Sequence, residues 1–525
     1  MKKGKNWGLL IVGMVVLTIL CGCQSIRKTK IGEAVPTKTV GDMETFKAHM
    51  EGKDFYVQQG EFAELDTIKK ASEGKLISCF GNNAGSVYTV MYLPPAPEQD
   101  NAKGKPERGL VDEIKTIYDD PDVENYPSNP FFSPAGWQYK LRSDEALVLF
   151  TELPPECKYY SYINYILFTE KKEGKDYSGE TKGYFEIGNE ETGYYHPIFG
   201  SIGSSVSDAR VKCDGDSVFG SKAVIIVSAN KTVTDEVVEQ LKAAGFSEDV
   251  INVMTIPEKT YRVGLEKGKD TFCLLGRISQ PADQESYAEY IRELPKKSVA
   301  YRVTPKTPIA SDPYENETVT PRGTGEHEVA VVDNAEENLD IIRKAIIAKY
   351  SEDYTYEELR GEIAVPEGLT AYMTDFNAKG DNRDTTYTMT PDFTLNSDED
   401  FIVVYGLNHT ATGKAHYSNA VLYAKPMLNG VCSVYDSLYT GTAAEFLGDD
   451  CEDSGMYYVY KMARTQMDEN TEIIKYSTGN EKGRFYGVDN NNLLVMAFRA
   501  YVDKTKVGPS YYEIVYDRTI VFHKK

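Results

Sequence analysis

Residues 141–145 read Leu141-Arg-Ser-Asp-Glu145 and lead into Ala-Leu-Val-Leu-Phe150; residues 395–399 read Leu395-Asn-Ser-Asp-Glu399 and lead into Phe401-Ile-Val-Val-Tyr405. In both places a polar loop follows, then a second apolar stretch. The first copy continues as Lys158-Tyr-Tyr-Ser161 into Tyr-Ile-Asn-Tyr-Ile-Leu-Phe168, the second as Lys414-Ala-His-Tyr-Ser418 into Asn-Ala-Val-Leu-Tyr423. Short runs rich in β-branched and aromatic residues, bounded by polar turns, read as strands, so each copy is strand, loop, strand. A repeat at this distance predicts an internal duplication. Phe272-Cys-Leu-Leu-Gly-Arg277 and Val459-Tyr-Lys-Met-Ala-Arg464 extend it, each an apolar strand ending in arginine.

Between these landmarks the chain mixes strands with helices. Ala223-Val-Ile-Ile-Val-Ser228 is an apolar strand, and Thr232 or Thr234 can cap the helix after it. Val237, Val238, Leu241 and Ala244 give that helix its stripe before Gly245 stops it, and 250–256 returns as a strand. Residues 335–349 form the best helix of the second half, with Leu339, Ile341, Ile342, Ala345, Ile346 and Ile347 on its apolar side. The Pro- and Thr-rich stretch from about 306 to 326 is the natural boundary. The expected fold class is α+β (mixed α/β), in two sheet-containing domains at 46–310 and 327–525 with a linker at 311–326.

The first residues give an address. Lys2, Lys3 and Lys5 precede an apolar run from Leu9 to Leu20, and Leu20-Cys-Gly-Cys23 follows. A basic start and an apolar run too short to span a bilayer comfortably describe a secretory signal. Its Leu-x-Gly-Cys ending resembles the lipobox of bacterial lipoproteins, which implies removal of residues 1–22 and acylation of Cys23. Residues 23–45 then read as the lipidated cysteine and a flexible tether. The expected location is the extracytoplasmic face of the cell membrane, held by lipid.

Composition narrows the function. The formal charge of −22 repels phosphate backbones and excludes nucleic acid as the expected partner. Beyond the leader and lipobox, Cys79, Cys157, Cys213, Cys273, Cys432 and Cys451 are scattered without a CxxC pair, so neither a zinc ribbon nor a disulfide framework is indicated. Cys79 and Cys273 read as buried strand residues, and Cys432 and Cys451 as the best pair if one forms. Tyrosine is abundant, 38 residues against 2 tryptophans, which fits packed strands and also a groove for peptide or glycan.

The stretch Gly406-Leu-Asn-His-Thr-Ala-Thr-Gly-Lys-Ala-His-Tyr-Ser-Asn419, with Leu153-Pro-Pro-Glu-Cys-Lys-Tyr-Tyr-Ser-Tyr162, resembles a group of secreted or lipoprotein sequences sharing a G-x-N-H-x-x-T-G-K-A-x-Y-x-N motif. The resemblance spans roughly residues 130–470 and implies no particular chemistry. Known catalytic signatures fail: Ala415 stands where a phosphate loop needs Ser or Thr after Gly413-Lys414, and no GxSxG, HExxH or GxGxxG is present. Asp375-Phe-Asn-Ala-Lys-Gly-Asp381 alternates oxygen side chains as a calcium loop does, but Thr386 replaces the bidentate glutamate, so a solvated loop is expected and no metal or cofactor.

That leaves the loop from Asn408 to Tyr417 as the candidate site. Asn408 and Thr412 offer hydrogen bonds, His409 titrates near neutrality, and Lys414 carries a positive charge in an acidic protein. Two readings follow. The first is a non-catalytic protein binding an anionic small molecule, peptide or glycan in a crevice between its halves, with Lys158, Tyr160, Arg277 and Arg464 joining Asn408 and Thr412. The second is a hydrolase or transferase with His409 as base, Lys414 stabilising an anion and Tyr417 nearby.

Overall fold

A computed structural model describes residues 41–72, 79–97, 137–175, 187–189, 193–425, 427–448, 451–477 and 487–525. Cys23, the leader and most of the expected tether lie outside them. The described residues belong to one compact unit, 38–525. Order begins earlier than the tether reading allows. Asp42 accepts from the Thr45 N–H at 3.0 Å and starts helix α1 (Met43–Gly52), which buries Phe46 and Met50.

The N-terminal half contributes β1 (Phe55–Glu64), β2 (Ser86–Tyr92), β3 (Ala146–Glu152), β4 (Cys157–Glu170), β5 (Ile187–Asn189), β6 (Gly193–Ser201), β7 (Val206–Ser207), β8 (Lys222–Ser228), β9 (Ile251–Thr255), β10 (Thr271–Pro281) and β11 (Val299–Pro305), with α2 (Thr67–Ser72), α3 (Lys231–Ala243) and α4 (Gln284–Lys297). The C-terminal half contributes β12 (Tyr354–Arg360), β13 (Glu362–Ile363), β14 (Thr385–Met389), β15 (Phe401–Leu407), β16 (Tyr417–Ala424), β17 (Asn429–Tyr435), β18 (Tyr457–Ala463), β19 (Thr471–Ile473), β20 (Leu494–Tyr501) and β21 (Arg518–Lys524), with α5 (Ala335–Tyr350), α6 (Gly368–Thr374) and α7 (Ala444–Leu447). The fold is mixed α+β. The predicted βαβ unit is present, β8 and β9 running parallel on either side of α3, although Asn230 rather than Thr232 or Thr234 caps the helix. Asn230 is favoured because its short amide reaches the Val233 N–H from an extended backbone.

Strand order reveals the duplication. Sheet one runs β5-β6-β4-β10-β2-β1-β11-β3-β8-β9, with β7 paired to β4. Long β1 serves both parts of it: Phe55–Gly60 pair with β11 and Glu61–Glu64 with β2. The C-terminal half splits the same arrangement into two sheets, β12-β21-β15-β18-β19 and β13-β14-β20-β16-β17. Apart from β5–β6 and β4–β7, each pairing recurs, including a final parallel one, β8 with β9 and β18 with β19. The echo strands β3 and β4 therefore correspond to β15 and β16, as the sequence predicts. The arginine strands do not correspond. β10 pairs with the second echo strand of its half, whereas β18 pairs with the first, so the counterpart of β10 is β20.

Each half is a layered sandwich. Phe62, Leu147, Ile166, Ile225 and Phe272 fill the space between the two parts of the first sheet, and Ile402, Leu422, Met496 and Val521 fill it in the second half. Helices α1 and α3 cover the outer face of β3 and β8, and α5 covers the outer face of β15 and β21. Of the predicted α5 stripe, Leu339, Ile342 and Ile346 are buried while Ile341 is exposed. The remaining faces, β2-β10-β4 and β14-β20-β16, pack on one another. Tyr417 stacks on Tyr501 and Tyr159 packs on it at a tilt, with ring centroids 4.9 and 4.8 Å away.

The contact between halves is reciprocal. Phe80-Gly81 and Lys379-Gly380 are both left-handed pairs, at φ 53° and 70° and at φ 52° and 72°. Each sits just ahead of an equivalent strand and crosses to the other half: the Gly81 N–H donates to the Leu428 carbonyl and the Gly380 N–H to the Phe199 carbonyl. Asn82 and Asp381 repeat this with side chains, accepting from the N–H groups of Gly430 and Ser201. The six described cysteines are all free thiols, so Cys432 and Cys451 are not a pair. Cys432 instead lies against Met462 in the core, and Cys79 is buried in a loop rather than a strand.

Candidate functional site

The loop chosen from sequence is a knot of paired charges. His409 is 3% exposed, its Nδ1 2.8 Å from Glu328 Oε1 and its Nε2 3.4 Å from Asp517 Oδ2. Burial alone would lower the His409 pKa, but the two carboxylates outweigh it and hold the imidazolium charged well above its ordinary range. Thr412 donates to Glu328 Oε1 at 2.7 Å, and the Val515 N–H donates to Glu328 Oε2. Lys414 donates to Glu513, to Thr324 Oγ1 at 3.0 Å and to the Glu326 carbonyl at 2.6 Å. Asn408 turns inward on its own loop, accepting from the Thr410 hydroxyl at 2.7 Å. A base needs a free lone pair, and His409 has both nitrogens facing carboxylates.

The other sequence candidates disperse. Lys158 pairs with Asp436 at 3.0 Å, Tyr160 donates to the Val218 carbonyl at 2.6 Å, and the buried Tyr417 hydroxyl accepts from the Asn419 amide. Arg464 donates to the Ile474 and Lys475 carbonyls and stacks on Tyr476, beside β19 and in a different sheet from β16 and β20. Asp375 pairs with Lys172 and Lys175, and Asp381 is used by Ser201 and Gly368, so the 375–381 stretch is a structural turn. Among the described residues no cluster of His, Cys, Asp and Glu could hold a metal.

Arg277 does lie between the halves. Its partners follow from register. On β10 it stands opposite Tyr88 of β2 and Ser161 of β4. On β20 Arg499 stands opposite Tyr387 of β14 and Asn419 of β16. Arg499 is thus the duplicate of Arg277, and Tyr387 the duplicate of Tyr88. Each guanidinium lies over its own tyrosine, 5.5 Å from the ring centre in both halves. Arg277 also reaches across, Nη1 standing 3.3 Å from the Tyr387 hydroxyl, while Arg499 Nη2 donates to the Tyr423 hydroxyl.

Neither arginine is paired with a carboxylate among the described residues, although they are only 7% and 8% exposed. Arg277 Nε, Arg499 Nε and Arg499 Nη1 are buried without a hydrogen-bond partner. Both side chains line one cavity of about 50 Å³ between the halves, with Gln138, whose buried amide oxygen and nitrogen are likewise without a partner. The rest of its wall is mostly apolar, including Leu65, Trp137, Phe199 and Leu275. An unpaired buried charge costs several kcal/mol, so two facing one cavity mark a place where the fold gives up stability.

Sequence reading found Arg277 and missed Arg499, Tyr88, Tyr387 and Gln138. A signal for three of them was present: Gly81-Asn-Asn83 stands seven residues ahead of Tyr88-Thr89 from its glycine, and Gly380-Asp-Asn382 does the same ahead of Tyr387-Thr388. That second echo identifies β2 and β14 as equivalents, and the strand paired to each then supplies its arginine.

No family model matches the chain, and no curated protein matches it. Among solved structures, the VPA0106 protein from Vibrio parahaemolyticus is 11% identical at a TM-score of 0.30, covering 78% of this chain and 95% of its own. An uncharacterized protein from Burkholderia cenocepacia is 11% identical at a TM-score of 0.30, covering 87% and 94%. A protein from Parabacteroides distasonis is 8% identical at a TM-score of 0.14, covering 90% and 99%. Similarity at these scores carries no argument about what the chain binds, and the case for a site rests on its own buried arginines.

Proposed function

We propose that this chain is a lipid-anchored extracytoplasmic protein that binds a small ligand, without catalysis, in the cavity between its two halves. The carrying observation is the pair of buried arginines, without a carboxylate partner among the described residues, contributed by equivalent strands to one cavity wall. Crevices between domains are common ligand sites because both walls contact the molecule. The anchor rests on the sequence of residues 20–23. A catalytic reading would need His409 as a base, and its two carboxylate contacts give that reading no support.

The test is a thermal-shift screen of the chain against small molecules of every charge class, repeated on Gln138→Leu. At least one class should raise Tm in the parent and raise it less in the variant; a panel without a single shift overturns the binding reading. Cys23→Ala should abolish labelling by a fatty-acid analogue, and labelling that persists removes the anchor.

A further inference from the structure

We infer that the ligand of this cavity is an amphipathic organic anion, a carboxylate or phosphate head on an apolar body, whose head is held jointly by Arg277 and Arg499. The inference rests on the binding reading above and specifies its chemistry. A guanidinium is permanently charged and presents five donors in a planar fork that matches carboxylate and phosphate oxygens. Tyr387 and the Gly380 carbonyl take two nitrogens of Arg277 and Tyr423 takes one of Arg499, and three others at this cavity remain buried and unused, Nε of Arg277 and both Nε and Nη1 of Arg499. Water-accessible charge would need no such ligand, but these groups are buried.

Three further features agree. The charges come from equivalent positions on β10 and β20 and line one cavity, so a single anionic head can meet both; a phosphate dianion matches their summed charge and a carboxylate halves it. Gln138 adds an unpartnered amide that can donate to the same head. The apolar remainder of the wall, Leu65, Trp137, Phe199 and Leu275 among it, offers nothing to a sugar's hydroxyls and suits an alkyl or aryl body. The protein as a whole carries −22, so an anion would be held by this local cationic site against the net charge.

Trp137 lines the cavity, and the chain's one other tryptophan is Trp7, so the full chain carrying Trp7→Phe reports on the site through intrinsic fluorescence. Four probes separate the sources of affinity: hexanoate, hexyl phosphate, hexanol and inorganic phosphate. Hexanoate or hexyl phosphate should change Trp137 emission saturably, with hexanol at least tenfold weaker. Arg499→Leu should weaken the better anion at least tenfold while its Tm without ligand stays at or above that of the parent, and Arg277→Leu gives an independent second variant. Which of the two hexyl anions binds better decides between carboxylate and phosphate, and inorganic phosphate equal to hexyl phosphate would remove the apolar body from the proposal. Hexanol matching the anions, or no anion changing the emission, overturns the inference. A neutral compound found in the wider screen would then leave the binding reading standing.

Discussion

Two buried cationic regions can be compared within this chain. At His409 and Lys414 every positive charge meets a carboxylate, from Glu328, Asp517 or Glu513. At Arg277 and Arg499 the positive charges meet tyrosine rings, tyrosine hydroxyls and a cavity. The first arrangement joins the 324–328 segment, the loop after β15 and the 513–517 segment into one strut. The second leaves charge uncompensated. The paired charges act as a joint, and on the proposed reading the unpaired ones await a ligand.

The largest effect that would test this contrast is His409→Leu, which strands Glu328 and Asp517 as buried carboxylates. It should cost about 3–5 kcal/mol in chemical denaturation, the usual penalty for removing one partner of a buried pair. A loss below about 1 kcal/mol would mean the strut is not one. Lys414→Met, nearer the surface, should cost about 1–3 kcal/mol.

Acid should separate the regions next. Burial raises the Glu513 pKa, but Lys414 and the N–H groups of Thr324 and Gly325 outweigh it and bring the carboxyl down to about 2 from its ordinary 4.5. A depressed acid contributes stability above its unfolded value, and that contribution is lost as pH falls from 4.5 towards 2. Over that window the parent should lose up to about 1.4 kcal/mol per pH unit more than Glu513→Gln. Equal acid limbs for the two proteins would detach Glu513 from the strut. The smallest expected effect is on the other side: Arg277→Leu or Arg499→Leu without ligand should leave the denaturation midpoint unchanged or raised. If either variant loses several kcal/mol, the arginines are struts as well and the contrast collapses.

How far the residues disclosed all this depends on range. The first echo was legible because strand, polar loop and strand are adjacent in sequence, so similarity survives as a local pattern. Register made Arg277 and Arg499 equivalents, and register is a long-range property: β10 and β20 are placed by pairing with β4 and β16. Arg464 ends a strand with a similar apolar look, but that strand belongs to the opposite sheet. The candidate loop misled for a related reason. His, Lys, Thr and Asn in one stretch are visible at once, whereas Glu328, Glu513 and Asp517, which neutralise them, are about 80 to 110 residues away. Only the fold shows which charge has been answered.

The recurrence of one strand order in both halves has a consequence for the shape of what can be bound. Two identical subunits around an axis would present identical walls, so a molecule between them would meet the same groups on both sides. Joined in one chain, the copies are free to diverge, and they have: α3 lies between β8 and β9, where the matching β18–β19 connection has no helix, and α4 lies between β10 and β11, where residues 502–517 run as turns. The cavity inherits that difference, two like arginines in a wall supplied mostly by the first copy. Under the proposed reading, a lopsided molecule, charged at one end and greasy at the other, would meet there walls as unlike as its own two ends.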